Sequence, residues 1–296
     1  VYGKKDYRDV FRAMAEGVAD GVNGIDQQNK KADYSTTLMS YHPRKWMPNS
    51  SEWFHNEPWL DFNSIQDQPS DQITATTLDY GLKPVKPTWL FEGGYEYRRN
   101  TYKDWQIRFQ SYQTVFAGGF GVTYGSMNIY HFNSAKADSD EPITTDKSKK
   151  WEASLDEAGA MDMQHLFNLM TSMSNDQFLD RIPDQSLIEG DTGSMEGNEG
   201  IRSSRLQATR GEKGDYALVY SANGRTISLR MNRLSSPRVN AYWFNPRNGK
   251  YHVQDRETTE QKPFMENIPC GSAAPVQEFD PPGSVSDGND WVLLLK

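Results

Sequence analysis

The sequence predicts an α/β domain followed by a smaller all-β domain, and two observations lead to this prediction. From residue 1 to about 183, strand-like apolar runs alternate with segments of helical spacing, an order typical of a parallel sheet. After the Gly-, Ser- and Glu-rich stretch 188–204 no helical period is visible. The short strands and turn signals that follow predict a small antiparallel β-sandwich. We therefore predict domains at 1–202 and 203–296.

The composition of the 296-residue chain excludes several classes of function. The formal net charge of −8 argues against a nucleic-acid partner, and no apolar run approaches the ~20 residues that span a bilayer. The single cysteine, Cys270, rules out an internal disulfide. Zinc patterns of the CxxC or HExxH type are absent, so we expect neither a metal nor a cofactor. The many aromatic residues suit a large core, and also a cleft in which rings stack on sugars.

The helices of the first domain are predicted from apolar residues that recur at helical spacing. They lie in DYRDVFRAMAEGVADG, in DWQIRFQSYQTVFAGG, and in a third segment that ends before Pro183. The residues that share a face are Val10, Phe11, Met14 and Val18 in the first helix, Trp105, Phe109, Tyr112 and Phe116 in the second, and Met163, Leu166, Phe167, Met170 and Met173 in the third.

Four strands are predicted in the same domain, within STTLMSYHP, LDFNSIQDQ, KPTWLFEGG and FGVTYGSMNIYHF. In a parallel α/β fold the functional residues gather where strands end. One such cluster alone would indicate a structural role. Four successive strand ends with polar or aromatic side chains favour a functional cleft. These clusters are Tyr41-His42, then Asp61 with Asn63 and Gln66, then Glu92, and then Tyr130 with His131.

The strand count leaves two folds open for this domain. A closed (β/α)8 barrel needs eight strands and about 250 residues, whereas about four strands are visible. The domain is either a smaller open sheet or the second half of such a barrel. In the second domain, hairpins are predicted around Asn223-Gly224 and Asn248-Gly249, and DWVLLL forms a final strand.

Glu92 is the candidate with the strongest physical argument. An ionised carboxylate at the end of an apolar strand costs several kcal/mol unless it is paired or near water. Gly93 and Gly94 remove side-chain bulk, so a ligand or another backbone can approach. A purely structural alternative is an ion pair with Arg98 or Arg99.

Carboxylates beside aromatic residues are typical of glycoside hydrolysis. One carboxylic acid protonates the leaving oxygen, and a second carboxylate attacks the anomeric carbon or activates water. Asp61, Glu92 and Glu96 are the candidates within this chain. No Ser-His-Asp arrangement or phosphate-binding glycine loop competes with them.

Several segments together resemble the apiosidase-like glycoside hydrolase family. They are TTLMSYHPRKWMPNSSEWFHNEPWLDFNSIQDQ, KPTWLFEGGYE, FAGGFGVTYGSMNIYHF, WFNPRNGKY and FDPPGSVSDGNDWVLLL, and they extend from about residue 7 to the end. This is a bacterial family with a (β/α)8 barrel followed by a β-sandwich that is often labelled collagen-binding. The resemblance implies the C-terminal half of such a barrel, strands five to eight, followed by the sandwich.

The resemblance also implies roles for the acidic residues. Glu92 matches the catalytic Glu at the end of strand seven, the expected nucleophile, and Glu96 matches a second acid that organises the site. Leu90-Phe91 and Gly93 depart from the family wording Asp-Gly-Glu-Pro-x-Tyr-Glu. The family's acid/base Asp ends strand four, so we expect it upstream of VYGKKDYRDVF. A complementary half-barrel segment or chain is therefore an expected partner.

The function expected from this resemblance is hydrolysis of a plant-type or complex polysaccharide, with a secreted, periplasmic or cell-surface location. The alternatives are a non-catalytic carbohydrate-binding protein and, from the label of the sandwich alone, collagen binding. Besides the catalytic Glu92, the expected substrate-binding residues are His42, Trp53, His55, Trp59, Asp61, Asn63, Gln66, Tyr95, Glu96, Tyr124 and His131.

Overall fold

The computed structural model describes residues 5–26, 29–44, 49–66, 72–98, 102–130, 132, 149–194 and 204–296. It contains mixed helix and sheet in the first part of the chain and is rich in sheet in the second part. The helices are α1 (Arg8–Val22), α2 (Ser50–Phe54), α3 (Gln72–Tyr80), α4 (Asp104–Phe116), α5 (Met127–Tyr130), α6 (Ala158–Thr171) and α7 (Asn175–Leu179). None of these described helices is long and apolar enough to cross a membrane.

Three strands of the first part form a parallel sheet in the order β1-β2-β3. They are β1 (Asn63–Gln66), β2 (Thr88–Glu92) and β3 (Gly121–Val122). Helix α3 connects β1 to β2, and α4 connects β2 to β3, so the predicted alternation of strands and helices is confirmed for this region. The described residues form three strands of barrel type and no closed barrel.

The strand predicted in STTLMSYHP is not formed, although this segment runs beside β1. Side chains take the place of a backbone ladder. The Oδ2 atom of Asp61 accepts from the Met39 N–H at 2.6 Å, and the Ser64 hydroxyl donates to the Tyr41 carbonyl at 2.8 Å. Ser40 donates to the Phe62 carbonyl at 2.7 Å. These side chains occupy the polar groups that a ladder would pair, so the segment lies against the sheet edge without becoming a regular strand.

The predicted fourth strand is much shorter than expected, because β3 contains two residues and 127–130 is helical. Beyond Val122 the pairing continues as an isolated parallel bridge between Glu96 and Ser126. In this bridge the Glu96 N–H donates to the Gly125 carbonyl at 2.9 Å, and the Glu96 carbonyl accepts from the Met127 N–H at 3.0 Å. Tyr130 is thus on a helix rather than at a strand end, and His131 lies outside the described residues.

Helix α1 confirms the first predicted helix. Most of the apolar residues that were predicted to share a face lie outside its packing surface. Ala15 and Ala19 are buried, whereas Val10, Met14 and Val18 are each more than half exposed. The alanine face and Phe11 lie against a cluster formed by Phe54, Trp59 and Leu60. The described residues therefore leave a row of apolar side chains on the outer side of α1.

In the second part of the chain, the described residues form ten strands. They are β4 (Arg181–Pro183), β5 (Leu206–Gly211), β6 (Ala217–Ser221), β7 (Ile227–Arg230), β8 (Arg238–Asn245), β9 (Lys250–Val253), β10 (Arg256–Thr258), β11 (Met265–Pro269), β12 (Val276–Phe279) and β13 (Trp291–Leu295). The main sheet has the order β10-β9-β8-β13-β6-β5-β4, with β11 also paired to β8, and β12 pairs with β7 in a second, two-stranded sheet. All the pairings are antiparallel.

One of the two predicted hairpins is confirmed. Strands β8 and β9 pair across the turn that contains Asn248-Gly249. Around Asn223-Gly224 the prediction is wrong, because β6 pairs with β5 and β13 while β7 pairs with β12. The turn there carries the chain from one sheet to the other. Strand pairing with the main sheet already includes β4 at Arg181, and the domain boundary near 203 stays a prediction.

Both faces of the main sheet are buried, which explains the continuous apolar run of β13. Val292 and Leu294 belong to a core that includes α4 and α6, whereas Leu293 and Leu295 belong to the core between the two sheets. Each of these residues is at most 4 % exposed. A strand in which apolar and polar residues alternate would place polar side chains on one of the two cores. Because β13 contacts both cores, its side chains are apolar on both faces.

A buried ion cluster joins the two parts of the chain. The Arg108 guanidinium on α4 pairs with Asp290 at 2.9 Å, with Asp162 on α6 at 2.7 Å and with Asp104 at 2.7 Å. The Tyr220 hydroxyl donates to Asp290 at 3.1 Å. A buried guanidinium needs such partners, because an unpaired charge there would cost several kcal/mol.

The Asp162 carboxyl makes the stability of this cluster depend on pH. Burial raises its pKa from 3.8 to about 7, although Arg108 opposes the shift. Between these two pKa values the folded protein keeps a proton that the unfolded chain releases, so Asp162 lowers the free energy of unfolding as pH rises. We predict that Asp162→Asn removes this contribution. Relative to wild type, the variant should gain stability as the pH rises from about 4 to about 7.

The measurement is urea unfolding of wild type and variant across this pH range. The exposed Asp156→Asn substitution controls for loss of a carboxylate outside the cluster. Wild-type and Asp162→Asn unfolding free energies that run parallel with pH would contradict the prediction.

Candidate functional site

Glu92 ends β2 at the carboxyl edge of the parallel sheet. Leu90 in the same strand is fully buried, whereas the Glu92 side chain is 29 % exposed. The register of β1 and β2 places Gln66 opposite Glu92, after an irregularity between Ile65 and Gln66. The acid at the end of an apolar strand is therefore a carboxylate at the rim of the sheet, within reach of solvent.

Two side chains contact the two oxygens of this carboxylate. The Tyr95 hydroxyl donates to Oε1 of Glu92 at 3.0 Å, and Nε2 of His42 lies 3.2 Å from Oε2. Burial, followed by the Glu92 charge, raises the pKa of Tyr95, so the phenol keeps its proton and remains a donor. The structure therefore brings together four of the predicted site residues: His42, Gln66, Glu92 and Tyr95.

The structural alternative for Glu92, an ion pair with Arg98, is not the arrangement found. In the part of the chain that the structure describes, the Glu92 carboxylate contacts Tyr95 and His42 and forms no ion pair with Arg98. Arg99 lies outside the described residues. The described residues also contain no group of three His, Cys, Asp or Glu side chains that could hold a metal ion.

The glycine pair after Glu92 allows a helix side chain to hold the loop. Gln110 on α4 accepts from the Gly94 N–H at 2.8 Å and donates to the Gly94 carbonyl at 3.0 Å. A Cβ on Gly93 would lie 2.7 Å from Oε1 of Gln110, and a Cβ on Gly94 would collide with the Tyr102 ring. The space beside the two glycines is thus filled by the side chains of Gln110 and Tyr102 rather than by a ligand or another backbone.

Glu96 is buried and organises the region beside the carboxylate. The Tyr124 hydroxyl donates to it at 2.6 Å, and the Gly159 N–H at the start of α6 donates at 3.3 Å. Burial raises the pKa of Glu96, opposed by these two hydrogen bonds. Tyr124 is committed to Glu96, so its hydroxyl contacts an acid within the fold rather than Glu92.

Three predicted substrate contacts are buried away from the strand end. Nδ1 of His55 lies 3.2 Å from Oδ1 of Asn63, and its Nε2 lies 2.9 Å from the Pro84 carbonyl. Trp59 is 4 % exposed and packs against Phe54. Because β1 begins at Asn63, this residue is at the amino end of its strand, opposite the edge that carries Gln66. His55, Trp59 and Asn63 therefore belong to the core.

The remaining predicted residues have structural contacts or lie outside the description. The Asp61 carboxylate accepts the Met39 N–H, so it closes the segment beside β1. Trp53 is half-buried and packs on the cluster beneath α1. His131 is not among the described residues, so its place in the site stays a prediction.

Sequence reasoning missed the residues that support the site from behind. Gln110 and Tyr102 fix the loop after Glu92. The glycine pair was the only sequence signal for such an approach, and it did not say which side chain makes it. Gln110 looks like an ordinary polar position of an amphipathic helix, but it is buried.

The family comparison agrees with this geometry. The model described as "Apiosidase-like, catalytic domain" matches residues 2–176, which include β1 to β3 and the carboxylate at the end of β2. The model described as "Putative collagen-binding domain of a collagenase" matches residues 182–296, the β-rich part. No curated protein matches the chain significantly.

Two solved structures are similar over nearly the whole chain. One, described as a glycoside hydrolase, is 29 % identical with a TM-score of 0.74, and the match covers 97 % of this chain and 62 % of that one. The other, a glycoside hydrolase family 5 protein from Bacteroides vulgatus ATCC 8482, is 27 % identical with a TM-score of 0.72, covering 97 % and 58 %. The chain thus spans about three fifths of the length of these structures.

The packing of Gly94 yields a stability prediction. Gly94→Ala should lower the free energy of unfolding by about 1–3 kcal/mol, because the added methyl group displaces the Tyr102 ring from a filled site. Gly17→Ala is the matched control. This glycine lies inside α1 with no atom near the added Cβ, so alanine there should stabilise by up to about 1 kcal/mol. Urea unfolding measures both, and equal effects of the two substitutions would contradict the assignment.

Proposed function

Because the chain belongs to the apiosidase-like catalytic-domain family, we propose that it forms part of the active site of a glycoside hydrolase in which Glu92 is the nucleophile. The observation that carries the proposal is the carboxylate itself. It lies at the carboxyl end of a parallel strand, is partly exposed, and has a side-chain contact on each oxygen. Such a group is fixed in direction and keeps lone pairs for an electrophile.

In the proposed reaction, one Glu92 oxygen attacks the anomeric carbon while the bond to the leaving oxygen breaks. An acid protonates that leaving oxygen. The conjugate base of that acid then takes a proton from a water molecule, whose oxygen bonds to the anomeric carbon while the bond to Glu92 breaks and its electron pair returns to the carboxylate. The two other acids considered in this chain, Asp61 and Glu96, have contacts of their own. We therefore propose an acid/base Asp from a complementary segment.

Substrate and location follow from the same proposal. A carboxylate separation of about 5–5.5 Å is expected for this double displacement, and about 6.5–9.5 Å for inversion. His42, Gln66 and Tyr95 border Glu92 and are the proposed contacts to the reacting sugar. The proposed substrate class is a plant-type or complex polysaccharide. Since such polymers lie outside cells, a secreted, periplasmic or cell-surface location is proposed with it.

Uncovered apolar surfaces support a complementary half-barrel, meaning further strands and helices on this or another chain. The sheet face opposite α4 carries a cluster of Phe62, Trp89, Phe91 and Phe120, with ring centroids 5.1–6.3 Å apart. A groove of about 410 Å³ between β3 and α6 is lined mainly by apolar residues. The outer side of α1 is likewise apolar. Surfaces of this kind mark places where another element packs.

Glu92→Gln tests the assigned nucleophile. In the full-length protein, the substitution should reduce turnover of pectin-derived oligosaccharides by at least about 10³-fold, because the amide cannot form the covalent intermediate. Release of reducing sugar is the measurement. Glu266→Gln, an exposed position on β11, is the control and should be neutral. Near-normal turnover by the Glu92→Gln variant would show that Glu92 is not the nucleophile.

The same assay separates the enzyme from its main alternative. A wild-type protein that binds these oligosaccharides without releasing reducing sugar, and a Glu92→Gln protein that binds them equally well, would identify a carbohydrate-binding protein. Isothermal titration of both proteins with the same oligosaccharides provides the binding data.

Substitution on α1 tests the complementary half-barrel. In the full-length protein, Met14→Lys should lower the free energy of unfolding by at least about 2 kcal/mol, because it places a charge against a covered apolar face. Val285→Lys is the control, since Val285 in the β-rich part is 61 % exposed and Met14 is 59 % exposed in the described chain. Urea unfolding that gives both variants the same small effect would contradict a covering element at α1.

A further inference from the structure

The ring of His42 faces an oxygen acceptor at each nitrogen. Its Nδ1 lies 2.8 Å from the Pro43 carbonyl, and its Nε2 lies 3.2 Å from Oε2 of Glu92. Pro43 is buried, so this carbonyl is a fixed reference point. The edge of the ring contacts Phe91, with the two ring centroids 5.0 Å apart at 79°. These three contacts define the orientation of the imidazole.

A neutral imidazole cannot satisfy this geometry. It has one N–H donor and one lone pair, so one of its nitrogens would direct a lone pair at an oxygen. A carbonyl has no proton to share, hence Nδ1 must carry one. The proton between Nε2 and Glu92 then belongs to the imidazole, because imidazole is a stronger base than a carboxylate by about two pH units in water.

We propose that His42 is a positioning residue that holds Glu92 as a doubly protonated imidazolium. Among the described residues, a titratable group that contacts this pair is Tyr95, whose hydroxyl donates to the other oxygen of the Glu92 carboxylate. The His42 side chain is 39 % exposed, so water helps to stabilise its charge. The charge-assisted hydrogen bond fixes one carboxylate oxygen more firmly than the neutral phenol fixes the other.

The pair affects the two halves of the reaction differently, an inference that rests on the proposed function. When Glu92 attacks the anomeric carbon, its carboxylate loses charge and its attraction to the imidazolium weakens. When the intermediate is hydrolysed, the bond between the anomeric carbon and Glu92 breaks and the negative charge returns. His42 therefore orients the carboxylate before attack and stabilises it as the leaving group in the second half.

The first experiment requires no enzymatic activity. Nitrogen-15 NMR of the histidine side chains near pH 7 reports which ring nitrogens carry protons. We expect both nitrogens of His42 to be protonated in the wild type, and one ring proton to be lost in Glu92→Gln. His252, on β9 of the β-rich part, is the internal control and should give the same spectrum in both proteins. A single ring proton on wild-type His42 would overturn the proposal.

The second experiment uses two amides that imitate the two ring nitrogens. In His42→Gln the amide reaches the position of Nε2 and retains a donor for Glu92. In His42→Asn it reaches only the position of Nδ1 and retains the donor for Pro43. We expect His42→Asn to lower kcat by about 100-fold, with a much smaller change in KM, because the carboxylate is misplaced. His42→Gln should recover most of that loss.

The outcomes separate this proposal from the proposed function. Equal losses in the two variants would overturn the positioning role. If the wild type has no turnover on any oligosaccharide, the proposed function fails, whereas the NMR result still decides the protonation of His42.

Discussion

Helix α4 is the constraint on which both parts of the chain depend, because almost none of its surface reaches solvent. From Gln106 to Phe116 every residue is buried. Its Arg108 forms an ion pair with Asp290 in the β-rich part. Two residues later, Gln110 forms hydrogen bonds with both the backbone N–H and the backbone carbonyl of Gly94. One helix thus connects the anchor of the β-rich part to the loop that follows the carboxylate. The position of Glu92 depends on that connection rather than on the sheet alone.

The parallel sheet is irregular at both of its edges. The segment beside β1 is attached by the side chains of Asp61, Ser40 and Ser64, and beyond β3 the main chain of Glu96 forms an isolated bridge with Ser126. Such edges permit a segment to bend where a regular strand would continue. His42 lies in one of these irregular segments and contacts the Glu92 carboxylate from there. A regular strand in the same place would fix the direction of this side chain by the pleat of the sheet.

The sequence predicted those features that depend on local pattern and missed those that depend on distant partners. Apolar spacing located α1, α4 and α6, and the strand-end argument selected Glu92, His42 and Gln66, which lie together. The family resemblance added Tyr95, which contacts Glu92, and also His55, whose ring is buried against Asn63 and the Pro84 carbonyl. An Asn-Gly turn indicates a reversal of the chain but not the partner of the next strand, so Asn223-Gly224 was read as a hairpin although it joins two sheets.

Strand β13 follows both of its neighbours, β6 and β8, in the sequence, yet it lies between them in the sheet. During synthesis, the main sheet therefore stays divided until residues 291–295 leave the ribosome. Until then α4 and α6 lack their contacts with Val292 and Leu294, and Arg108 lacks Asp290. A ribosome stalled before β13 would therefore hold a chain in which part of the apolar surface of α4 and α6 stays exposed, the kind of surface that chaperones bind.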